Sequence, residues 1–569
     1  MMVGIDLGTT NSLVGVWRDG AAVLIPNALG KLLTPSVVGE DDKGVTIVGE
    51  AARDRLVSHP ASTAAMFKRY MGTDRKITVG RNSYRPEELS AMVLRALKAD
   101  AEAFLGAKVD EAVITVPAYF NDAQRKATKA AGQLAGLKVD RLLTEPTAAA
   151  LAYGFATGDE ENTVLVVDLG GGTLDVSLLH SFEGIMEVKA TAGDIWLGGE
   201  DFTDLLASTF IAEAGRAGGL LNIAANPVLN ARLRRQAELA KRALSDHDEA
   251  KMELQVDGAP LSWTVTRDRF EQICEPLLAR IRSPLERALR DARIAPDQIT
   301  RVIFAGGAAR MPMIRRLVSR LFRQLPVQHI NPDEVVARGA AVRAGLVQRG
   351  HGLEEHVMTD VSPFTLGIGV ASQTGRGALI QGVFLPIIER NTIIPASRSH
   401  VVQTLADGQT FVEIPVYQGE ARMVADNVFL GKLSCPVPSG PAGQETIEVR
   451  FSYDTSGLLD VDATVLSNKT SRNLVIEGNP GVLSKTEVQE RLAKLAQLKV
   501  HPRDMAENHA LIARAERVFE ETLGDLRQDV GMRLDAFRGV LESQNPEHIA
   551  EAREQLMRFL DGVDRNFLV

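Results

Sequence analysis

Two different spacings of apolar residues divide the chain. Over residues 1–345, short apolar runs alternate with amphipathic stretches whose apolar positions recur every three or four residues, which predicts an α/β fold. The clearest helix is predicted over residues 85–105, where Pro86 suits the first turn and Glu87 and Glu88 favour the positive end of the helix dipole. The first section therefore predicts a large domain of strands and helices.

Beyond residue 360 the apolar spacing changes to two. Residues 446–453 place their apolar side chains on one face, and residues 409–417 alternate similarly, which predicts antiparallel strands with one buried face. The last section returns to helical spacing after a capping box formed by Ser484 and Glu487. The predicted organisation is an α/β domain over 1–345, a linker over 346–360, a β-domain over 361–481 and a helical domain over 482–569.

The composition fits this multidomain picture and excludes some partners. A chain of 569 residues is too long for one core, and its hydrophobic fraction of 45% is ample for burial. The net charge of −9 argues against nucleic acid or an anionic membrane as a partner. No apolar run reaches the ~18 residues that span a bilayer, and the N-terminus begins with a predicted strand rather than a secretion signal.

We therefore expect a cytoplasmic monomer. Cys274 and Cys435 lie far apart and lack metal-ligand spacing, so both are expected to be buried thiols in a reducing compartment.

The most informative feature is an internal repeat. Residues 3–14 and 166–177 each read as a strand, an aspartate, a turn of glycine and threonine, and a second strand. Such a turn directs its amides outward as an anion site, because glycine lets the backbone approach a phosphate closely. A carboxylate beside a phosphate requires a cation between them, so Asp6 and Asp168 predict Mg²⁺ held through water. Two such hairpins with matching aspartates predict a nucleotide site.

A third glycine pair follows the predicted strand at residues 302–305. Gly306 and Gly307 permit close approach of a nucleoside, and Arg310 can stack on a base. Alone, this segment is also consistent with a structural strand-to-helix turn. The GxxxxGK[ST], GxGxxG, HExxH and GxSxG patterns of other nucleotide, zinc and hydrolase sites do not occur where those sites need them.

Two strand-to-helix junctions add candidate charges. Glu145 follows one predicted strand and can face the same cation as the aspartates, although such junctions are also purely structural features. Lys68 is, on its own pattern, as consistent with a surface charge as with a functional one.

Together these segments carry a family resemblance over nearly the whole chain. The motifs are GIDLGTTNS, VPAYFNDAQRKAT, EPTAAALAYG, DLGGGTLDV, LGGEDF and NPDEVVARGAA, in this order. The chain resembles the DnaK-type 70-kDa heat-shock chaperone family of the actin–hexokinase ATPase superfamily, and within it the bacterial HscC branch. The resemblance implies a duplicated ribonuclease-H-like α/β ATPase, followed by an antiparallel β-sandwich and an α-helical lid.

The resemblance also implies roles for individual residues in binding ATP or ADP. Lys68 orients the attacking water, while Asp6, Glu145, Asp168 and Asp175 organise that water together with Mg²⁺ and K⁺. The phosphates are expected to contact Thr9, Thr10, Asn11 and Thr173. The glycines expected to take part in ATP binding are Gly8, Gly170, Gly171, Gly172, Gly198 and Gly199. The adenosine is expected to lie among Glu238, Lys241, Arg242, Ser245, Gly306, Gly307, Arg310 and Asp333.

The β-domain resembles the peptide clamp of the family, which grips extended apolar segments of client polypeptides. The matching groove residues are Leu366, Ile368, Val402, Leu405, Val412, Ile414 and Ile447. Core packing is the competing interpretation for such alternating residues. Domain coupling or docking of a J-domain co-chaperone is implied for Pro117, Arg125, Arg141, Asp360 and Arg390.

Several segments depart from the family pattern. Residues 356–359 replace a leucine-rich linker before Asp360, which predicts weaker docking, and His356 could make that docking sensitive to pH. Ala308 and Ala309 replace a polar pair beside the adenosine. A longer loop over residues 371–383, a short lid and no acidic tail predict a chaperone with few clients, and leave open whether it needs an exchange factor.

Three other functions remain open on the sequence. A small-molecule kinase of the same superfamily would share the paired hairpins but would need no β-domain or lid. A non-hydrolysing exchange module, as in the larger chaperone relatives, usually carries a longer acidic insertion. A filament-forming actin-like protein is the third and most distant alternative.

Overall fold

The computed structural model divides the chain into two compact units, each described by itself. The first unit is Met1–Phe364 with Arg390–Ile394, and the second is Thr365–Glu389 with Pro395–Val569. The structure describes residues 1–41, 43–140, 142–154, 161–182, 185–214, 226–256, 259–327, 329–348, 357–373, 379–454, 457–476 and 502–567.

The described strands up to residue 361 belong to the first unit. They are β1 Met2–Asp6, β2 Asn11–Arg18, β3 Ala21–Ile25, β4 Thr34–Pro35, β5 Val38–Glu40, β6 Thr46–Val48, β7 Thr63–Ala64, β8 Ile77–Val79, β9 Asn82–Tyr84, β10 Glu111–Val116, β11 Leu142–Thr144, β12 Asn162–Leu169, β13 Leu174–Phe182, β14 Ile185–Asp194, β15 Glu249–Val256, β16 Ala259–Thr266, β17 Arg301–Ala305 and β18 Val357–Val361.

The described α-helices of this unit alternate with the strands, as predicted. They are α1 Glu50–Ser58, α2 Pro86–Leu105, α3 Asp122–Leu134, α4 Glu145–Ala152, α5 Gly199–Ala214, α6 Pro227–Asp246, α7 Arg267–Ile273, α8 Glu275–Ala292, α9 Pro312–Phe322 and α10 Val335–Val347. Short 3₁₀ turns lie at Pro60–Ser62, Phe67–Tyr70, Pro296–Gln298 and Gly307–Arg310.

Two sheets of the first unit repeat one topology. The first has the order β3–β2–β1–β10–β11, with β1 antiparallel to β2 and parallel to β10. The second contains the order β14–β13–β12–β17, with β12 antiparallel to β13 and parallel to β17. Each half thus begins with a hairpin, adds a third antiparallel strand (β3 or β14) and then a parallel strand. This is the duplicated ribonuclease-H-like ATPase fold that the sequence predicts.

Two helices join the halves. One buried apolar cluster combines Val113 of β10 and Val166 of β12 with residues of α4 and α10. The two helices approach so closely that a Cβ atom on Gly339 would lie 1.7 Å from the carbonyl oxygen of Ala148. Only glycine fits there, and this contact sets how closely the two halves approach each other.

The predicted linker over residues 346–360 differs from the structure. Helix α10 continues to Val347, and β18 adds a strand parallel to β14 at the edge of the second sheet. A strand edge pairs through its backbone, so this addition does not require an apolar side-chain sequence. The first unit also extends to Phe364, beyond the predicted boundary. His356 lies outside the described residues.

The β-rich part of the second unit is an antiparallel sandwich of two sheets. The strands beyond residue 365 are β19 Leu366–Gln373, β20 Leu379–Ile388, β21 Ile393–Ile394, β22 Ala396–Gln403, β23 Phe411–Gln418, β24 Val428–Pro436, β25 Thr446–Tyr453, β26 Leu459–Val465 and β27 Ser471–Ile476. One sheet has the order β20–β19–β23–β24 and the other β22–β25–β26–β27, whereas β21 pairs with β18 in the first unit. The alternating apolar pattern therefore identified this sandwich correctly.

The second unit ends in three packed helices. They are α11 Ala506–Glu521, α12 Gly524–Ser543 and α13 Pro546–Phe567, and their apolar stripes share one buried cluster. Gln544, between α12 and α13, has a left-handed φ of 52° and docks on the edge strand β22. Its side-chain amide donates to the carbonyl of Ser399 at 2.9 Å and accepts from the Ser399 amide at 3.1 Å. The predicted helix start at Ser484 lies outside the described residues.

Two simpler predictions can be compared with the structure. Both Cys274 and Cys435 are buried without a disulfide, and burial raises the pKa of each thiol. In the part of the chain that the structure describes, no helix combines the length and the apolar character needed to cross a membrane.

The tight helix contact makes Gly339→Ala a strongly destabilising substitution of the first unit. The new methyl would overlap backbone atoms of Ala148, and overpacking costs ~1–3 kcal/mol or more, which exceeds the ~1 kcal/mol that alanine gains over glycine in a helix. Calorimetric unfolding of the full chain should show a lower transition temperature for the first unit.

The matched control is Gly539→Ala. Gly539 is also inside a helix, but none of the described residues comes within 4 Å of the added Cβ atom. This variant should leave the unfolding transition of its own unit unchanged or slightly higher. If Gly339→Ala behaved like the control, the packing argument would be refuted.

Candidate functional site

A cavity of about 1100 Å³ opens between the two halves of the first unit. Most residues predicted to bind nucleotide line it. The lining members are Asp6, Gly8, Thr9, Thr10, Asn11, Lys68, Glu145, Asp168, Gly170, Gly171, Thr173, Gly199, Glu238, Lys241, Arg242, Ser245, Gly306, Gly307, Arg310 and Asp333. Asp175, Gly172 and Gly198 lie immediately behind these residues in the same strands and turns.

The turns of the two repeated hairpins touch each other in this cavity. A Cβ atom on Gly171 would lie 1.7 Å from Thr10 Oγ1, and one on Gly172 would lie 2.6 Å from Thr9 Cγ2. Glycine is therefore needed so that the turns can meet, besides being needed for a ligand. Thr10 Oγ1 is buried and has no hydrogen-bond partner among the residues that the structure describes. That hydroxyl is available to a polar ligand held between the turns.

Four carboxyl groups converge from different elements. Asp6 ends β1, Glu145 begins α4, and Asp168 and Asp175 lie directly opposite each other on β12 and β13. Burial, reinforced by the charge of Glu145, raises the pKa of Asp6 and of Asp175 to about 7, and raises that of Asp168 well above its usual range.

Local donors partly compensate the buried acids. Thr115 Oγ1 donates to Asp6 at 3.0 Å, and the Tyr119 amide donates to Asp175 at 2.9 Å. The sequence did not single out these two residues, because a donor to a carboxylate has no spacing signature of its own.

Lys68 is buried inside the acidic cluster, so the structure excludes a surface charge. It lies in the 3₁₀ turn Phe67–Tyr70, which follows Met66 with a left-handed φ of 61°. Its side chain is 4% exposed, and Nζ lies 2.9 Å from Glu145 Oε1. The ammonium group also lowers the pKa of Asp6 and Asp175 against the effect of burial.

The donor set fits a hydrated Mg²⁺ ion. One lysine does not neutralise four converging carboxyl groups, and burial together with the neighbouring negative charges raises the pKa of Asp6, Asp168 and Asp175. Among the described residues, no group of three or more His, Cys, Asp or Glu side chains could hold a metal ion. Mg²⁺ keeps much of its water shell, so Asp6, Glu145 and Asp168 suit contact through water better than direct ligation.

Helix α6 forms one wall of the cavity with an ordered charge network. Lys241 Nζ donates to the Gly199 carbonyl at 2.8 Å and to Thr203 Oγ1 at 2.9 Å, and pairs with Glu238 at 2.6 Å. Arg242 pairs with the other oxygen of Glu238 at 2.6 Å. Burial alone would raise the pKa of Glu238, but Lys241 and Arg242 together hold that pKa below its usual range. The network keeps this wall rigid and leaves polar edges toward the cavity.

The third glycine pair forms the opposite wall. Gly306 has a φ of 78°, and a Cβ atom there would lie 2.3 Å from the Leu169 carbonyl oxygen. Gly307 faces Asp333, whose Oδ2 pairs with Arg310 Nη2 at 2.7 Å. Asn331 accepts a second bond from the same guanidinium. Asp333 and Asn331 thus hold Arg310 at the edge of the cavity, so this segment is both a structural turn and a wall of the site.

The predicted coupling residues lie elsewhere in the first unit. Arg125 donates to the carbonyl oxygens of Phe120 and Ala118 at 3.0 Å each, and its charge partly offsets the burial that raises the pKa of Asp360. Arg390 makes two bonds to Asp291, at 2.8 and 3.0 Å. Pro117 immediately follows β10 at the start of the same loop. Arg141 lies outside the described residues.

The predicted peptide-groove residues differ in accessibility. Leu366, Ile368, Ile414 and Ile447 are at most 1% exposed, as core packing requires. Val402 and Val412 are half-buried. Leu405 is 50% exposed, and the same two-sheet domain has two further accessible apolar side chains that the sequence did not single out, Val401 and Phe411.

Comparison with known proteins assigns the chain to a family. A family model described as "Hsp70 protein" matches residues 2–79 and 73–566. The "Chaperone protein DnaK" of Thermotoga petrophila and that of Thermotoga maritima are each 40% identical to the chain over 568 residues, covering 98% of this chain and 93% of the relative. The chain therefore belongs to the Hsp70 family, whose members are ATP-hydrolysing chaperones.

Proposed function

We propose that the chain binds ATP between its two glycine-rich turns and uses hydrolysis to control capture and release of extended apolar polypeptides in the bacterial cytoplasm. The observation that carries this proposal is the direct contact of the two turns beside the buried Lys68–Glu145 pair. Such an arrangement surrounds a terminal phosphate with amides, hydroxyls and a cation. Phosphoryl transfer depends mainly on that kind of positioning and charge neutralisation.

Each polar group has a distinct task in this proposal. The Lys68 ammonium group orients the attacking water, and the hydroxyls of Thr9, Thr10 and Thr173 donate to phosphate oxygens. The carboxylates of Asp6, Glu145 and Asp168 would hold Mg²⁺ through its water shell, where the ion would neutralise phosphate charge, and we assign K⁺ to the same cluster. Asp175 orients the loop at Tyr119 behind this cluster, which the 2.9 Å bond between them supports.

The adenosine occupies the wall formed by α6 and the third glycine pair. Glu238 and Ser245 lie on one side, and the flat guanidinium of Arg310 lies on the other, where it can stack on the base. Ala308 and the fully buried Ala309 give this wall apolar side chains in place of donors. The loss of side-chain donors at these two positions supports a somewhat weaker affinity for the nucleoside.

We further place the chain in the HscC branch, as a chaperone with few clients that works with a J-domain partner. The linker strand β18 supports this finer proposal, because it is docked through its backbone although its sequence is partly polar. The pairing of Arg390 with Asp291 supports a role for Arg390 in coupling. Peptide capture is assigned to the predicted groove, where Leu405 provides accessible apolar surface.

Lys68→Ala should bind ATP and hydrolyse it very slowly. Removing one positioned electrostatic group typically lowers the rate by ~10²–10³-fold. Single-turnover hydrolysis measures the rate, and equilibrium titration measures ATP affinity. Lys432→Ala is the matched control, because its exposed pair with Glu413 lies in the second unit. Normal turnover in Lys68→Ala would remove this lysine from the chemistry.

Peptide binding should depend on the bound nucleotide. In Lys68→Ala, which holds ATP unhydrolysed, ATP should weaken the affinity for an extended apolar peptide by ~5–150-fold relative to ADP, and the peptide must lower ATP affinity relative to ADP affinity by the same factor. Fluorescence anisotropy with a labelled peptide measures both. Arg390→Ala should reduce this factor, whereas Arg53→Ala, which breaks an exposed pair with Glu50, should not. Equal peptide affinity with ATP and ADP would refute the chaperone cycle.

The raised pKa of Asp175 predicts a pH-dependent stability of the nucleotide-free protein. Between its ordinary value of 3.8 and about 7, the folded state holds a proton that the unfolded state has lost. The stability that Asp175 gains from binding this proton is fully present below pH 3.8 and is lost as the pH rises through about 7. Asp175→Asn should therefore flatten the decline of unfolding free energy from pH 5 to 7, by at most ~1.4 kcal/mol per pH unit.

Urea unfolding at several pH values, with metal chelated, measures this slope. Asn keeps an oxygen that can accept from the Tyr119 amide, so the change removes the titration and preserves the local bond. Asp74→Asn is the control, since Asp74 is 98% exposed and should leave the slope unchanged. Identical slopes for wild type and Asp175→Asn would show that the carboxyl titrates normally.

A further inference from the structure

The carbonyl oxygens of all three glycines in the second glycine turn, Gly170, Gly171 and Gly172, accept hydrogen bonds. The Gly170 carbonyl accepts from the Gly199 amide, and the Gly171 carbonyl accepts from the Glu200 amide, each at 2.9 Å. The Gly172 carbonyl accepts instead from Arg69 Nε at 3.0 Å. The first two donors are backbone groups at the start of α5, in the same half as the turn. The third donor is a side chain from the opposite half.

Peptide planarity converts these contacts into amide orientation. In a trans peptide the C=O and the next N–H point in opposite directions. Holding the three carbonyls therefore directs the amides of Gly171, Gly172 and Thr173 to the other side of the turn, and Thr173 lines the cavity. Donation to a carbonyl also polarises its peptide unit, which makes the opposing amide a stronger donor.

Arg69 is well placed to hold its carbonyl firmly. Its side chain is 12% exposed, and its guanidinium also pairs with Asp201, which itself accepts from the Gly198 amide at 2.7 Å. A forked guanidinium can bind a carbonyl and a carboxylate at once, which an ammonium group cannot match in geometry. Arg69 is adjacent to Lys68 in the same 3₁₀ turn.

We infer that Arg69 is a positioning residue for ATP hydrolysis, acting through the Gly172 carbonyl to aim the Thr173 amide, with Asp201 orienting its guanidinium. This inference rests on the proposed function, because it assigns the Thr173 amide to a phosphate oxygen. The amide is correctly aimed only when the Lys68 turn of one half contacts the glycine turn of the other. The same 3₁₀ turn therefore places Lys68 in the cavity and, through Arg69, orients the Thr173 amide of the phosphate site.

A second contact joins the Lys68 turn to the loop that precedes α5, in the half that carries the glycine turn. The rings of Tyr70 and Trp196 lie 5.6 Å apart, and Arg75 covers the Tyr70 ring at 3.8 Å. This contact remains when the Arg69 side chain is shortened. An Arg69 variant should thus keep its fold while losing control of one peptide unit.

The experiment compares Arg69→Ala, Arg69→Lys, Asp201→Asn and the double variant Arg69→Ala/Asp201→Asn in the full chain. Arg69→Ala should lower single-turnover hydrolysis by ~10–100-fold, less than the loss of a donor that contacts the phosphate itself. ADP affinity should change less than ~3-fold, since the affected amide serves the terminal phosphate. Arg69→Lys should recover part of the rate. The double variant should lose little more than Arg69→Ala, because the two side chains act as one unit.

Arg282→Ala is the matched control, because it breaks an exposed Arg–Glu pair on α8 in the same half as the glycine turn. It should hydrolyse ATP at the wild-type rate. A wild-type rate in Arg69→Ala would overturn the inference. So would a parallel loss of ADP affinity and thermal stability without any recovery in Arg69→Lys, since that pattern indicates general disruption.

Lys68→Ala separates this inference from the proposed function. If Lys68→Ala hydrolyses ATP normally, the proposed assignment of the site fails. If Lys68→Ala is inactive and Arg69→Ala is normal, only the positioning role of Arg69 fails.

Discussion

The burial of four carboxyl groups around one lysine is the constraint on which the ATPase unit depends. Asp168 and Asp175 lie directly opposite each other on neighbouring strands, an arrangement that is destabilising for like charges. The protein tolerates it by shifting the pKa of these groups upward and by placing Lys68 among them. A cation bound beside these carboxyl groups would supply positive charge that Lys68 alone does not provide. Without such a cation the cluster is electrostatically unfavourable.

Much of this organisation could be predicted because it depends on local pattern. The change of apolar spacing from helical to two separates the ATPase from the sandwich, and the repeated strand–Asp–Gly/Thr pattern identifies both glycine-rich turns that line the cavity. In each turn the glycines are required by a contact visible in the structure, as Gly171 against Thr10 illustrates. Where chain pattern and tertiary contact demand the same residue type, sequence analysis is dependable.

Predictions from sequence were weaker where position in the fold decides the role of a residue. Nothing in the spacing around Lys68 separates a surface lysine from a buried one, because burial comes from Glu145, 77 positions away. No sequence pattern marks Arg69 as functional, apart from its position next to Lys68. Its partner Asp201 lies in the LGGEDF motif, in which only the glycines had been given a role. In the sandwich, alternation predicts which side chains face inward but not which of them line a groove. Leu366 and Leu405 therefore received the same assignment, although Leu366 is 1% exposed and Leu405 is 50% exposed. The pairing of β18 with β14 was not predicted, because backbone hydrogen bonds between strands do not require particular side chains.

Contacts at both ends of the cleft join the two halves of the ATPase unit. At the base, Gly339 and Ala148 fix the distance between α10 and α4 with no room for adjustment. At the mouth, Arg69 reaches the carbonyl of Gly172 across the cleft. A structure that is rigid at one end and joined by hydrogen bonds at the other can open only by breaking the second set. A phosphate that needs the amide behind that carbonyl binds better to the closed form, and a ligand shifts such an equilibrium only by its difference in affinity for the two forms. If the proposed function holds, closure of the cleft and recognition of the terminal phosphate would therefore be thermodynamically coupled.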